Sequence, residues 1–148
     1  MTRPRYWRES DFNDHGLLTV PLLFWCGLLL QTRAWWLTGL AMAAEHGTWL
    51  EALYPATWLQ VTGLTAGVPA LAMLFCYPMR GTMPGLAKGV FGALLAGVVA
   101  MTVSDVALML SLTPEKWESG WLMLCTDLAC VVALLPDRRL RAVFIRPV

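Results

Sequence analysis

Four long apolar blocks dominate the chain, at residues 17–44, 57–77, 86–110 and 119–135. The first is interrupted by Gln31 and Arg33. The third is the longest clean block, with only Lys88 and Asp105 charged, and the fourth is short and contains Asp127. A helix needs about 20 mostly apolar residues to cross a hydrocarbon core of about 30 Å. Backbone polar groups in lipid must be satisfied within the segment, so the blocks predict helices. The strict alternation of a barrel strand is absent. The pattern therefore predicts an all-α integral membrane protein. Residues 1–148 form one compact bundle of four transmembrane helices, with a short arm at 1–16 and a basic tail at 136–148.

The breaks carry their own signals. Glu45-His46-Gly47 and Tyr54-Pro55 punctuate the first loop, and Tyr77-Pro78 through Met83-Pro84-Gly85 marks a tight second turn. Thr113-Pro114 reads as a helix start, with the threonine as cap and the proline at the first helical position. Pro136 and Asp137 end the last span. No loop is long enough for a second domain. Beyond Pro136 the spacing of Leu140, Val143 and Phe144 predicts a short amphipathic segment with these three facing lipid.

Composition narrows the class. Charged residues make up 14% of the chain and hydrophobic residues 57%, with a formal net charge of +1. Roughly a quarter of an average soluble domain is charged, so this surface is too poor in charge for a soluble enzyme. A near-neutral chain also lacks the basic excess that binds a nucleic acid. The positive residues are distributed unevenly. Arg3, Arg5, Arg8, Arg80, Lys88, Arg138, Arg139, Arg141 and Arg146 all fall on one side of a four-span chain, and only Lys116 on the other. The positive-inside rule then places both termini in the cytoplasm. Trp49, Tyr54, Trp58, Trp117 and Trp121 fall on the outer side, where they suit an interfacial belt. Ala41-Met42-Ala43 has the form of a signal-peptide cleavage site, but the apolar stretch before it is too long and holds Arg33.

The residues that usually carry chemistry are poorly placed for it. Cys26, Cys76, Cys125 and Cys130 lie in or at the edge of apolar spans, and Cys125 and Cys130 lie on different faces of one helix. They read as small packing residues rather than as a thiol-exchange pair. His15 and His46 fall on opposite sides of the membrane, which argues against a shared metal site, and Asn13 or Asp14 suits a helix cap. No catalytic residues, cofactor or metal are expected.

Arg33, Asp105 and Asp127 are the informative positions. Each costs about 2.5–3.5 kcal/mol at mid-span on insertion scales, so each should face the bundle interior. At about 1.5 Å per residue, Arg33 lies roughly 24 Å from Leu17, Asp105 roughly 25–30 Å from the start of its span, and Asp127 roughly 12 Å from Ser119. All three then fall in the outer half of the membrane, within reach of one layer. Arg33 is expected to pair with Asp127 and also with Asp105, with Gln31 adding a hydrogen bond. Such a cluster can be an ion pair that fixes helix order or a proton-relay or substrate site.

Gly85, Gly89, Ala93 and Gly97 recur every four residues on the third span, a spacing that lets helices approach closely. Packing within the chain is the expected use, and self-association the alternative. Gly63 and Gly67 give the second span a smaller patch, just before Pro69, which should kink it.

Three blocks carry a family likeness. They are Asp11-Phe12-Asn13-Asp14-His15-Gly16 with Leu17, Pro21, Phe24-Trp25 and residues 28–35; Leu53-Tyr54-Pro55 with Gly63-Leu64, Gly67 and Pro69-Ala70; and Asp127 with residues 137–144. In these the chain resembles the YfeZ-like inner-membrane proteins of Gram-negative bacteria, a domain-of-unknown-function family. The resemblance implies a bacterial inner membrane and about four spans, and it implies no chemistry.

Function is therefore expected to be that of a non-catalytic accessory or assembly component of a membrane complex. Its partners would be the lipid bilayer and a protein, or a second copy meeting the third helix. A small proton-coupled transporter acting as a homo-oligomer is the alternative, with Asp105 and Asp127 as carriers. An intramembrane enzyme would need a lipid-facing acid–base pair, and neither histidine lies deep in a span.

Overall fold

The computed structural model describes residues 12, 18–44, 48–111, 113 and 117–144. Their helices are α1 (Leu22–Gln31), α2 (Arg33–Ala43), α3 (Trp49–Leu53), α4 (Thr57–Met79), α5 (Pro84–Ser111), α6 (Trp117–Leu134) and α7 (Arg138–Phe144). The one extended feature among the described residues is an isolated bridge between Phe12 and Leu18. Residues 13–17, 45–47 and 114–116 lie outside the described set, so the expectations for the Asn13 or Asp14 cap, His15, His46 and Pro114 are not addressed.

Among the described residues three helices are long and apolar enough to cross a membrane: α4 with 23 residues, α5 with 28 and α6 with 18. Each begins and ends within two or three residues of its apolar block, because hydropathy dominates the choice of structure there. α4 continues through Pro78, which the sequence pattern assigned to the turn.

The first block departs from a single expected helix. It divides at Thr32 into α1, of 10 residues, and α2, of 11. The cause is local. The Thr32 hydroxyl reaches both the Leu28 and Leu29 carbonyls, at 3.1 and 3.0 Å. The Trp36 indole N–H also donates to Leu29, at 3.2 Å. The Leu28 carbonyl also accepts the Thr32 backbone N–H at 3.0 Å, so the hydroxyl is a second donor there. Neither half alone is long enough to cross a bilayer.

The long helices close into a four-sided bundle. α1 packs against α4 and α6, α2 packs against α4, and α5 packs against both α4 and α6. Two apolar clusters fill it. One joins Phe24, Leu28, Met73, Phe91, Leu94, Val98 and Leu134. The other joins Ala34, Tyr54, Leu59 and Leu108 near the α2–α3 end. Between them along the chain lie Gln31, Thr32, Arg33 and Asp105, all buried.

The small residues of α5 do not form one packing surface inside the chain. A Cβ on Gly97 would lie 2.9 Å from the Ala66 carbonyl oxygen, so backbone meets backbone there across α4 and α5. A Cβ on Gly85 or Gly89 would meet nothing, and Ala93 is exposed. The row winds around the helix and only its far end turns inward. On α4, Gly67 performs the expected role, since a Cβ there would come within 2.7 Å of Trp35.

The tail is also a correction. Leu140 and Phe144 face the core, not lipid, and are 2% and 3% exposed. Phe144 stacks on Phe91 with centroids 4.8 Å apart and lies 5.5 Å from Phe24. Its apolar face is amphipathic as expected, but the open end of the bundle offers aromatic partners that lipid cannot match. Arginines tie the same end together. Arg80 donates to the Leu18 carbonyl at 2.8 Å, and Arg139 to the Thr19 carbonyl at 3.0 Å.

Candidate functional site

The break at Thr32 makes Arg33 the first residue of α2 and points it into the bundle. Its side chain crosses to α5 and α6. Arg33 Nη2 donates to Asp105 Oδ2 at 3.3 Å and also contacts Asp127 Oδ1 directly. Burial is nearly complete, with Arg33, Asp105 and Asp127 exposed by 3%, 5% and 1%. A single nitrogen thus bridges two carboxyl groups from two helices.

A second polar layer adjoins this one. Gln31 donates from Nε2 to the Ala66 carbonyl at 3.3 Å and accepts at Oε1 from the Cys130 thiol, also at 3.3 Å. The thiol also lies 3.4 Å from the Gly27 carbonyl. Trp35 donates from its indole to the Leu64 carbonyl at 2.8 Å. Gln31 and Trp35 therefore fasten the broken first segment to α4. This fixes the direction in which Arg33 leaves the backbone. Cys130 sits one turn from Asp127 and is a hydrogen-bonded member of the layer rather than only a small packing group.

Tyr54 was expected at the membrane interface and is instead buried, 7% exposed, close enough to Arg33 to feel its charge. Burial pushes its phenol above the ordinary range, and the guanidinium opposes that shift. The hydroxyl has no hydrogen-bond partner among the described residues, and neither do Arg33 Nε and Nη1. Trp58, Trp117 and Trp121 remain exposed, as an interfacial belt requires. The Tyr54-Pro55 pair resembles any loop punctuation in sequence. Only the return of α3 onto α2 and α6 explains its burial.

The cysteines show no pairing. All four are free, with Cys26 and Cys125 exposed and Cys130 buried. Among the described residues no group of three or more His, Cys, Asp or Glu side chains is arranged to hold a metal ion.

The profile of a family described as "Protein of unknown function (DUF2919)" matches residues 7–146. The chain belongs to the DUF2919 family. It is similar to the inner membrane protein YfeZ of Escherichia coli strain K12, with 37% identity over 138 residues that cover 90% of each chain. No solved structure matches. The family match spans Arg33, Asp105 and Asp127, so the buried cluster lies within the region that defines membership. The family description names no reaction, and the relative's name places that relative in the inner membrane.

Proposed function

We propose that this DUF2919 protein is a four-span inner-membrane protein that acts as a non-catalytic accessory or assembly component of a membrane complex. In this reading α1 and α2 together form one broken span. Residues 22–43 extend roughly 33 Å at about 1.5 Å per residue, enough for a hydrocarbon core. Both termini lie in the cytoplasm, because the Arg80 turn and the Arg139 helix meet residues 18–19 at one end and bring the basic side chains together there.

The closure of the charge cluster carries the proposal. One nitrogen of Arg33, Nη2, meets both Asp105 and Asp127 inside the bundle. A cavity of about 430 Å³ between α4 and α5 is lined by Val61, Thr65, Pro69, Ala93, Gly97 and Ala100 among others, and includes none of the three. Buried ion pairs add little net stability over an apolar core, but they penalise every arrangement that leaves a charge unmatched. The cluster then serves as a register device: α2, α5 and α6 bring the guanidinium against both carboxyls in one arrangement.

The exposed Gly85, Gly89 and Ala93 side of α5 is the surface proposed for a partner helix or a second copy. Purification from native membranes in mild detergent tests the reading. Recovery of a stoichiometric membrane protein, or of a homo-oligomer cross-linked through Gly89→Cys, supports it. Recovery of the chain as a lone monomer contradicts it.

A further inference from the structure

We propose that the Arg33–Asp105–Asp127 cluster is a proton-binding site that holds one proton between its two carboxyl groups at neutral pH. The charge count is the first reason. One guanidinium faces two carboxyls, so the fully ionised cluster carries a net charge of −1 in a region almost closed to water. An uncompensated charge at that depth is costly, and one proton removes it.

Hydrogen bonding is the second and independent reason. Asp127 Oδ2 is buried and has no donor from the described residues. The Asp105 carboxyl meets the same Arg33 nitrogen as Asp127, so the two carboxyl groups converge on one point. Two carboxylates cannot hydrogen-bond to each other, whereas a carboxylic acid donates readily to a carboxylate. The missing donor is therefore the acid proton itself. Among the described residues, the neighbouring groups supply no other charge. α1 contributes the neutral amide of Gln31, α6 the Cys130 thiol, and the α3–α4 connection the Tyr54 phenol.

A metal cation fits poorly in the same place. It would sit beside the guanidinium that already bridges both carboxyls, and hard cations need several oxygen ligands. The inference concerns a held proton and stands apart from the accessory role, since holding a proton does not require moving it.

Infrared spectroscopy of the purified protein in lipid at neutral pH tests this. The wild-type chain should show the carbonyl band of a protonated carboxyl group, shifting in D2O. Glu51, Glu118 and Asp137 are exposed, and the two Asn variants separate a band of the buried cluster from any other carboxyl. The band should vanish in Asp105→Asn and in Asp127→Asn. Each variant keeps one carboxylate for one guanidinium, a neutral pair that needs no proton and is expected to fold, with helix content checked by circular dichroism. A wild-type spectrum without the band overturns the proposal, as does a band that survives in either variant.

Discussion

Removing Arg33 should damage this protein more than removing either aspartate, and the order follows from the charge count. At an effective dielectric of about 20, charges 3.3 Å apart attract by about 5 kcal/mol. Most of that is offset by the cost of taking both groups out of water. The visible effect comes from what remains after a truncation. Arg33→Ala leaves two buried carboxyls with no cation and should destabilise the fold by about 3–5 kcal/mol. Asp127→Ala leaves Arg33 paired with Asp105, a neutral pair, and should cost only about 1.5–3 kcal/mol for the lost charged hydrogen bond. The double variant should be less harmful than the sum of the two, by about 1–3 kcal/mol. Reversible unfolding in mixed micelles of rising SDS fraction, followed by tryptophan fluorescence, measures all three. Additivity to within about 0.5 kcal/mol, or a larger loss for Asp127→Ala than for Arg33→Ala, refutes the pairing as a source of stability.

Gly97→Leu should destabilise by about 1–3 kcal/mol, because its Cβ meets the Ala66 carbonyl, whereas Gly89→Ala should be neutral or stabilising by up to about 1 kcal/mol in the same micelle assay. A loss of activity of a co-purified partner in Gly89→Leu, without loss of folding, would map the contact face. Phe144→Ala should cost about 3 kcal/mol and expose the α6–α7 connection to added protease, since Phe144 is stacked on Phe91 in the core. A reporter active only outside the cytoplasm should give signal when fused at Gly47 and none after Val148, and signal after Val148 contradicts the proposed orientation.

Much of this architecture is legible in the sequence because hydropathy overrides other preferences in lipid. α4, α5 and α6 follow their apolar blocks for that reason. The division at Thr32 is hidden. Neither Gly nor Pro marks it, and the bonds around it, from Thr32 to α1 carbonyls and from Gln31 and Trp35 to α4, have no signature in residue type or spacing. Arg33, Asp105 and Asp127 can be placed in one layer by counting residues from the span ends, since rise per residue is nearly constant. The same counting cannot find Cys130 or Tyr54. Cys130 joins the layer through Gln31, a neutral side chain, and Tyr54 through the fold of a short loop helix. Amphipathic spacing in the tail identifies an apolar face but not what covers it. Lipid and the open end of a bundle satisfy the same pattern, and only the positions of Phe24 and Phe91 decide between them. Small-residue spacing on α5 is ambiguous in the same way, because Gly85 and Gly97 look alike in sequence but face different surroundings.

In the proposed role the buried charges fix the bundle and do not carry a solute or an ion across the membrane. Reconstitution into liposomes loaded with a pH-sensitive dye tests this most directly. With an imposed membrane potential or a pH gradient, vesicles holding the wild-type chain should acidify or alkalinise no faster than empty vesicles, and Asp127→Asn should change stability but not that rate. A protein-dependent proton flux that disappears in Asp127→Asn would contradict the account and identify the cluster as part of a transport path.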